Sequence, residues 1–368
     1  MIRVLHIFNF FDQGGIENFV MNVYRHIDRT KIQFDFAFIE NKKGYFDDEA
    51  KALGANIYFF DSDEKTIKNY SRNLGRIIKT YGPFNAVHSH CYFFSGIFLK
   101  VAKKCGVPIR ISHSHDTKKG RKETIIRKLY ENMMRKEIKK NATKKLACSD
   151  MAGNYLFGAK EDFTTLYNGI DLNVFRFNGE YRQSIRENLK IDSNALVLLN
   201  IGRFADQKNH HYIISIFENV RKNNDDAKLI LIGTGPLEEE VRASVKEKGL
   251  EEDVIFLSNI KDTYKYYCAA DFFVLPSKYE GMSIVSVESQ ATGLYTLVSN
   301  EVPKEISITD LIEYYDIKAE NLNDWVNAIE DKKQKVINRD NYYQDVIDTP
   351  FDINETVKQL SLIYSGEK

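Results

Sequence analysis

Residues 196–209 read LVLLNIGRFADQKN, an apolar run that passes directly into a polar loop with one glycine. A short apolar run that ends at such a loop predicts a buried strand, and the amphipathic pattern of His210–Asn223 predicts the helix that follows it. The same order of strand, loop and helix recurs at three further predicted strands, Lys228–Ile232, Val254–Leu257 and Phe272–Leu275, and Tyr295–Ser299 is predicted as a last strand. Strands separated by helices of about 10–15 residues predict βαβ units in a parallel sheet.

The first half of the chain carries the same alternation of strands and helices. Its predicted strands are Val4–Phe8, Phe34–Ile39, Ile57–Phe60, Ala86–His90, Ile109–His113 and Lys145–Cys148. Single cores stop growing at roughly 250–300 residues, so a chain of 368 residues favours two such α/β domains. We predict an N-terminal Rossmann-like domain at residues 1–172, a second one at 173–349, and a terminal helix within 350–368 that packs back on the first domain.

Bulk properties argue against several classes of protein. Hydrophobic residues make up 43% of the chain, which is ordinary for a globular protein. The start, Met1–Phe8, reads as a buried strand rather than as a signal peptide. No apolar run approaches the ~20 residues that a membrane-spanning helix requires. The four cysteines show no CxxC pairing, so we expect a reducing compartment, the cytoplasm.

Charge is unevenly distributed although the net charge is zero. Residues 1–172 contain 29 Lys and Arg against 19 Asp and Glu, and most of this excess lies in Lys118–Lys145, where 12 basic residues meet three glutamates. Clustered basic side chains gain about 1 kcal/mol each near an anionic membrane, so we expect peripheral docking on the inner face of the cell membrane. A solvated helix with scattered charge is the alternative. We do not expect a nucleic-acid partner, because the acidic second half of the chain would have no role in binding nucleic acid.

A pair of glycines directly follows the first predicted strand, in Asp12-Gln13-Gly14-Gly15. Paired glycines allow close backbone approach, and the helix that follows offers unpaired N–H groups and the positive end of its dipole. We therefore predict an anion site at Gly14 and Gly15. A plain strand-to-helix turn stays open as the alternative, because the motif is not GxGxxG.

Arg203 and Lys208 lie five residues apart on the loop that follows the strand at 196–201. In open α/β sheets, ligands bind outside the carboxyl ends of the strands, which is where this loop must lie. A planar guanidinium and a compact ammonium group can converge on one diphosphate. Isolated, solvated surface charges are the alternative.

Two glutamates mark a second loop region, Pro276–Glu288. Glu280 is predicted to open a helix and Glu288 to lie two turns further on, about 12 Å along an axis that rises ~1.5 Å per residue. This spacing suits one carboxylate for a sugar hydroxyl and another for a ribose, with a diphosphate between them at the helix N-terminus. Glu288 sits in an apolar run, where a carboxylate needs a partner. For Glu280, ordinary stabilisation of a helix dipole is the alternative.

Histidines occur in pairs at the ends of two predicted strands of the first domain, His88 with His90 and His113 with His115. Satisfied polar side chains at strand ends, substrate contact and proton handling stay open as explanations. A metal site from these four residues is conceivable, but no HxxEH or carboxylate-bridged spacing supports one. We expect neither a metal ion nor a cofactor.

Taken in this order, the motifs resemble retaining glycosyltransferase family 4, whose fold is called GT-B. The resemblance covers nearly the whole chain and rests on Gly14-Gly15, His-Ser-His-Asp at 113–116, Asn-Gly-Ile-Asp at 168–171, Gly-Arg-Phe with Gln-Lys-Asn in 202–209, Gly-Thr-Gly-Pro-Leu at 233–237, and Leu-Pro-Ser with Glu-x7-Glu in 275–288. Glu-Gly-Met-Ser-Ile-Val at 280–285 resembles the branch that builds capsular and exopolysaccharide. The resemblance implies two Rossmann-like domains whose parallel sheets face one another across a cleft.

The resemblance also implies roles for individual side chains. Arg203 and Lys208 would bind the diphosphate of a nucleotide-sugar donor. Glu280 would contact the transferred sugar, and Glu288 would hold the ribose hydroxyls. His115 would sit beside the reacting sugar.

Backbone groups complete the implied site: N–H groups at Gly281, Met282 and Ser283 would assist at the sugar, and Gly14 and Gly15 would approach the phosphates or the acceptor. The implied reaction transfers a sugar from a nucleoside diphosphate to an acceptor hydroxyl with retention at the anomeric carbon, and the resemblance to the branch favours UDP. Membrane docking through Lys118–Lys145 would place the cleft over a lipid-linked saccharide. Fixed positive charges at the leaving diphosphate would make a metal ion unnecessary. Two other classes stay open, a nucleotide-sugar epimerase or phosphorylase of the same architecture and a non-catalytic membrane adaptor that binds nucleotide-sugar.

Overall fold

A computed structural model of the chain describes residues 1–11, 14–60, 66–115, 124–333, 338–347 and 349–367. Asp12, Gln13, Asp116 and the first part of the basic stretch, residues 118–123, lie outside the described residues. The chain forms two compact units, Met1–Ile170 joined by Ile353–Lys368, and Asp171–Asp352. The chain enters the second unit two residues before the expected boundary, and it rejoins the first unit at Ile353.

The first unit is built on a parallel sheet. Its strands are β1 (Ile2–Phe8), β2 (Ile32–Phe38), β3 (Ile57–Phe59), β4 (Ala86–Ser89), β5 (Ile109–Ser114), β6 (Lys144–Ala147) and β7 (Thr164–Thr165). Its helices up to residue 170 are α1 (Gly15–His26), α2 (Asp47–Ala52), α3 (Ile67–Tyr81), α4 (Ser95–Lys104), α5 (Ile125–Asn141) and α6 (Asp150–Phe157). The strand order is β3-β2-β1-β4-β5-β6-β7, so the winding reverses between β1 and β4 as in a Rossmann-like sheet.

Both faces of β1 are buried, and its alternate residues belong to two different cores. Val4 and Phe8 pack in the core that includes residues of α1 and β2, whereas Leu5 and Ile7 pack in the core that includes residues of α3 and α4. A parallel sheet covered on both faces reads as near-continuous apolar runs, which is why the sequence pattern located these strands. By the same alternation, His6 lies on the face of Val4.

The second unit repeats this architecture. Its strands are β8 (Val197–Ile201), β9 (Lys228–Ile232), β10 (Val254–Leu257), β11 (Phe272–Leu275), β12 (Tyr295–Ser299) and β13 (Ile312–Tyr315). Its helices are α7 (Gly179–Asn188), α8 (His210–Asn223), α9 (Glu238–Glu247), α10 (Thr263–Ala269), α11 (Ile284–Ala291), α12 (Leu322–Lys332) and α13 (Asn341–Ile347). The order β10-β9-β8-β11-β12-β13 places the switch point between β8 and β11, so the loops after these two strands border the ligand crevice of such a sheet.

The last helix, α14 (Ile353–Ser365), belongs to the first unit. The amide N–H of Ile353 donates to the carbonyl of Ile170 over 3.0 Å, and the hydroxyl of Thr356 donates to the carbonyl of Tyr167 over 3.2 Å. Leu360 and Tyr364 are buried in the same core as α1. Among the described residues, no helix is both long and apolar enough to cross a membrane.

Candidate functional site

The two loops at the switch point of the second unit are bound to one another. The amide N–H of Lys278 donates to the carbonyl of Gln207 over 2.8 Å. In return, the Gln207 side chain donates to the carbonyl of Tyr279 over 2.9 Å. The Asn209 side chain donates to the carbonyl of Pro276 over 3.1 Å. These bonds bring the predicted Arg203–Asn209 and Pro276–Glu288 motifs together at one edge of the sheet.

Lys208 and Glu280, predicted from separate motifs, form an ion pair. Nζ of Lys208 lies 2.6 Å from Oε1 of Glu280, and the side chains are only 15% and 6% exposed. Gln207 also donates to Oε2 of Glu280 over 3.4 Å. A Cβ atom at Gly202 would lie 3.3 Å from Cδ and Cε of Lys208, so the glycine leaves room for the lysine stem. The carboxylate is thus held from two sides by residues of the other loop.

Arg203 lies at the start of the same loop, and its side chain is exposed. The loop backbone is fixed by the Gly-Thr-Gly-Pro turn beneath it, because the amide of Phe204 donates to the carbonyl of Thr234 over 3.0 Å. A Cβ atom at Gly233 would lie 2.0 Å from the carbonyl oxygen of Gly202, so only glycine fits this crossing. The structure therefore places an exposed arginine at the start of the anchored loop that also carries Lys208.

The helix predicted to open at Glu280 begins four residues later. α11 starts at Ile284, so Glu280 lies in the loop and the spacing of about 12 Å inferred from a continuous helix was based on a wrong helix start. Of the bonds above, the one from the Gln207 side chain uses the carbonyl of Tyr279, which would accept the first intrahelical bond of a helix that opens at Glu280. Gly281, Met282 and Ser283 instead lead into the N-terminus of α11, where helical N–H groups lack intrahelical partners.

Glu288 has the partner that its apolar surroundings require. The Tyr267 hydroxyl of α10 donates to Oε2 of Glu288 over 2.7 Å. Burial raises the pKa of Glu288 to about 7, and the hydrogen bond from Tyr267 opposes that rise. The carboxyl group therefore changes charge near neutral pH.

In the first unit, Gly14 and Gly15 stand at the start of a helix as predicted. α1 begins at Gly15, with Gly14 as the residue before its first turn. The amide and the side chain of Asn18 both donate to the carbonyl of Gly14, over 3.0 and 2.9 Å. No described atom lies within 4 Å of a Cβ placed on Gly15. A Cβ atom on Gly14, in contrast, would lie 2.3 Å from Oε2 of Glu17, so a carboxylate group lies against this end of α1.

The four predicted histidines of the first unit lie in one cluster. His90 and His115 directly follow β4 and β5, as predicted, whereas His88 and His113 lie inside those strands. Ring nitrogens of neighbouring residues lie 2.8 Å apart for His90 and His115 and 3.2 Å apart for His88 and His113. His6 of β1 joins them, with its Nδ1 atom 3.1 Å from Nε2 of His90.

Burial keeps these imidazoles neutral. It lowers the pKa of His6 and of His115 to about 3, and it lowers the pKa values of His88, His90 and His113 well below their usual range. Two groups of three ring nitrogens lie within 4.8 Å, one in His6, His88 and His90 and one in His90, His113 and His115. In both groups, some of these nitrogens already form hydrogen bonds with other rings. That the protein needs no metal ion stays a prediction.

Sequence reasoning missed three residues of these sites. His6 lies in an apolar strand, and its register opposite His88 appears only once β1 is paired with β4. Tyr364 lies 276 residues from His88, yet its hydroxyl is 2.8 Å from Nδ1 of that ring. Tyr267 lies in a short aromatic helix with no motif to connect it with Glu288. Each contact depends on tertiary packing, and no local pattern signals it.

Family comparisons agree with the two-unit architecture. A model described as Glycosyltransferase Family 4 matches residues 13–174, and one described as Glycosyl transferases group 1 matches residues 181–343. The chain belongs to glycosyltransferase family 4.

Particular relatives cover most of the chain. The putative glycosyltransferase EpsF of Bacillus subtilis is 34% identical over 83% of this chain and 80% of that protein. The capsular polysaccharide biosynthesis glycosyltransferase CapH of Staphylococcus aureus is 25% identical over 100% of this chain and 99% of that one. UDP-Gal:alpha-D-GlcNAc-diphosphoundecaprenol alpha-1,3-galactosyltransferase of Escherichia coli is 24% identical over 81% and 79%. The structure of Anabaena HepE in complex with UDP matches with a TM-score of 0.81 at 16% identity over 100% of both chains, which confirms the predicted GT-B fold.

Proposed function

We propose that this glycosyltransferase moves a sugar from a UDP-sugar to a lipid-linked saccharide, with retention at the anomeric carbon, in the synthesis of a bacterial surface polysaccharide. The observation that carries the proposal is the Lys208–Glu280 pair at the switch point, with Glu288 further along the same segment. The names of relatives support the substrate class, since HepE was solved with UDP and the Escherichia coli relative acts on a diphosphoundecaprenol saccharide.

The donor would lie along the two bonded loops. Arg203 supplies positive charge for the diphosphate, and the Lys208 ammonium group, whose charge is offset by Glu280, can still donate an N–H group to it. The segment Gly281–Ser283, which precedes α11, adds backbone N–H groups. Glu280 accepts hydrogen bonds from hydroxyls of the transferred sugar, and Glu288 accepts them from the ribose. When the sugar leaves, negative charge grows on the diphosphate, and fixed charges aimed at that position stabilise the transition state without reorganising.

For the chemical step we propose attack from the face that the diphosphate leaves. The bond between the anomeric carbon and the phosphate oxygen breaks, a bond from the acceptor oxygen forms, and a donor phosphate oxygen takes the acceptor proton. Lys208 and Gln207 already bind the Glu280 carboxylate, so we assign it to binding and not to nucleophilic attack. Isolation of a sugar covalently linked to Glu280 would overturn this step.

The first unit would supply His115 beside the reacting sugar, and Gly14 with Gly15 at the phosphates or acceptor. In support, His115 follows the carboxyl end of β5 and Gly15 opens α1 after β1, and the carboxyl ends of parallel strands are where such sheets bind ligands.

A membrane partner is supported by the surface of α5. The helix buries Glu131, Met134 and Ile138, while its opposite face is apolar and exposed over two turns: Ile125 by 80%, Ile126 by 80%, Leu129 by 65% and Met133 by 52%. Lys136 and Lys140 continue the exposed face toward the C-terminus. An exposed apolar stripe beside lysines is the pattern of helices that lie in the interface of an anionic bilayer.

Vesicle flotation tests the membrane partner. Wild-type protein should float with vesicles that contain phosphatidylglycerol and not with vesicles of phosphatidylcholine alone. The pair Ile126→Ser and Leu129→Ser should abolish flotation, and Lys136→Glu should weaken it most at low salt. Val174→Ser, a comparably conservative change at an exposed valine of the second unit, is the control. No flotation of the wild type at low salt would remove this part of the proposal.

The transfer itself is tested with UDP-sugars and undecaprenyl-diphosphate saccharides as acceptors. The account predicts acceptor-dependent UDP release and an anomeric configuration in the product equal to that of the donor, read by NMR coupling constants. An inverted product would contradict retention. UDP release without an acceptor, a phosphate requirement, or binding with no turnover would favour the epimerase, phosphorylase or adaptor alternatives.

A further inference from the structure

Three imidazoles converge near the carboxyl ends of β4 and β5. His90, His113 and His115 each offer one ring nitrogen, and these three atoms all lie within 4.8 Å of one another. Nδ1 of His90 lies 2.8 Å from Nε2 of His115. Nε2 of His113 is buried and has no hydrogen-bond partner among the described residues. Converging imidazole nitrogens are common ligands of transition metals.

The spacing of these nitrogens suits a single metal ion. Zn²⁺ lies ~2.0–2.1 Å from an imidazole nitrogen, so a tetrahedral site keeps its ligand atoms about 3.3 Å apart. That separation falls between the 2.8 Å of the contact between His90 and His115 and the 4.8 Å that bounds the group. Small movements of the rings would therefore turn the hydrogen-bonded arrangement into a set of metal ligands.

The ring of His113 is held on the side opposite its unpartnered nitrogen. Its Nδ1 atom lies 3.2 Å from Nε2 of His88, and Nδ1 of His88 lies 2.8 Å from the hydroxyl of Tyr364. Metal-binding histidines almost always have their second ring nitrogen held in this way, which fixes the orientation of the ring. With a proton on Nδ1, His113 would donate to His88 and offer a bare Nε2 atom to the ion.

The alternative group of His6, His88 and His90 is less suited to an ion. Both ring nitrogens of His88 already have partners, and all three residues are buried. His115, in contrast, is partly exposed at the edge where Rossmann-like sheets bind ligands. An ion can therefore reach the first group from solvent.

The ligand atoms determine the class of ion. Burial lowers the pKa of His115 to about 3 and the pKa values of His90 and His113 well below their usual range, so these rings are neutral and an ion displaces no proton from them. Among the described residues, no carboxylate or thiolate belongs to the group. Neutral imidazoles favour Zn²⁺, Ni²⁺ and Cu²⁺ over Mg²⁺ and Ca²⁺, which prefer oxygen ligands.

We propose that His90, His113 and His115 form a binding site for one divalent transition-metal ion. Three protein ligands leave a fourth position for water on the exposed side of His115. The bound ion links the ends of β4 and β5 and so stabilises the folded first unit. This site goes beyond the proposed function, because the proposed transfer uses no metal ion.

Zinc alone is the probe for the wild-type protein. The full chain, purified without a histidine tag and freed of metal with a chelator, should retain one zinc ion per chain after incubation with zinc and gel filtration. X-ray absorption at the zinc edge should show three imidazole nitrogens at ~2.0–2.1 Å. A wild-type protein that retains no zinc, or zinc with fewer than three imidazole ligands, would overturn the proposal. Neither measurement depends on transferase activity, so this failure is distinct from a failure of the proposed function.

Variants locate the ion in the chain. His113→Phe and His115→Phe should no longer retain zinc, whereas His6→Phe should retain it, because His6 belongs only to the other group. His211→Gln is the control, since His211 is half-exposed beside Glu240 and could bind zinc at the surface. Zinc lost in His6→Phe or His211→Gln and kept in His115→Phe would overturn the assignment. The absorption measurement on the wild type decides the proposal if a histidine variant fails to fold.

Tyr364→Phe tests whether the ring of His113 is oriented for the ion. The change keeps the aromatic ring and removes the hydroxyl that lies beside His88. Zinc affinity in calorimetric titrations should fall about tenfold, as for the loss of a group that holds a metal ligand in place. An unchanged zinc affinity would overturn the role of His88 and Tyr364 in orienting His113.

Discussion

Nζ of Lys208 lies 2.6 Å from Oε1 of Glu280, so an ion pair with little exposure to solvent joins the loops that follow β8 and β11. The two side chains are mostly buried, and each neutralises the charge of the other. The removal of one partner would leave a charge with little access to water, which is costly inside a protein.

Breaking this ion pair should destabilise the second unit. We expect Glu280→Gln and Lys208→Met each to lower its free energy of unfolding by about 3 kcal/mol, and the double variant to cost less than the sum. Urea unfolding followed by the fluorescence of Trp325, the single tryptophan of the chain, reports on this unit.

Lys278→Met is the control for these single and double variants. Lys278 pairs with Asp206 between the same loops, but both side chains are well exposed, so its loss should cost within about 1 kcal/mol. The coupling between Lys208 and Glu280 would be contradicted if the double variant lost as much free energy of unfolding as the two single variants together. A loss in Lys278→Met as large as theirs would also contradict it.

Arg203→Ala should lower turnover by about 100-fold or more, the usual size of the loss when one fixed charge that stabilises developing charge is removed. Steady-state release of UDP in the presence of acceptor measures this effect. Lys222→Ala, at an exposed position on the far end of α8, is the charge-matched control. Near-wild-type turnover in Arg203→Ala would refute the role at the diphosphate.

Donor affinity should depend on the charge of Glu288. Since its pKa is raised to about 7 by burial, the carboxylate that accepts the ribose hydroxyls is mostly present at pH 8 and mostly protonated at pH 6. UDP affinity in calorimetric titrations should fall about tenfold between these pH values, as expected for one proton at that pKa.

Two variants sharpen the pH test. Tyr267→Phe removes a hydrogen bond that favours the charged form of Glu288, so the midpoint of the affinity loss should move to higher pH. Glu288→Gln has no carboxyl group at this position, so the pH dependence of UDP affinity that remains in it comes from the titration of the nucleotide. A midpoint that moves to lower pH in Tyr267→Phe would show that another group controls the affinity.

The first unit should be sensitive to acid. Burial lowers the folded-state pKa of His6 and His115 to about 3, while an unfolded histidine titrates near 6.5. Below pH ~6.5 the unfolded chain therefore binds more protons. The stability of the unit is complete above that pH and falls as the pH drops toward 3, by about 1.4 kcal/mol per pH unit for each fully neutral histidine.

The two units supply their own comparison. Thiol labelling of buried Cys91 in urea reads the first unit, which holds five such histidines, and the fluorescence of Trp325 reads the second. In the second unit, burial lowers the pKa of His210 to about 4. With one such histidine, the second unit should lose less free energy of unfolding per pH unit than the first. His6→Phe should reduce the slope of the first unit. If the free energy of unfolding fell equally steeply with pH in the two units, buried histidines would not be the cause of the acid sensitivity.

The sequence predicted the strands of both sheets well where apolar runs are long and flanked by turns. It missed β7, which has only two residues, and β13, whose pattern is mixed with tyrosine and glutamate. It placed the start of α11 at Glu280, because a first-turn glutamate followed by apolar residues is a helix signal. In the structure the Tyr279 carbonyl, which would accept the first bond of that helix, accepts a hydrogen bond from the Gln207 side chain of the other loop.

The sequence identified residues of the candidate site, but it did not show which of them contact one another. Lys208 and Glu280 were found on separate motifs, and only the strand order β8-β11 brings those loops together. The need of Glu288 for a partner followed from its apolar run, but the partner, Tyr267, depends on how α10 packs on α11. The histidine cluster depends likewise on the register of β1 with β4.

A nucleoside-diphosphate site that uses Glu288 can be detected by thermal unfolding with UDP, GDP, ADP and NAD at matched concentrations. Ligand at a hundred times its Kd should stabilise the native state by about 2.7 kcal/mol. We expect UDP to stabilise the wild-type protein and not Glu288→Ala. Stabilisation by NAD alone, by none of the four, or by UDP to the same extent in Glu288→Ala would contradict it.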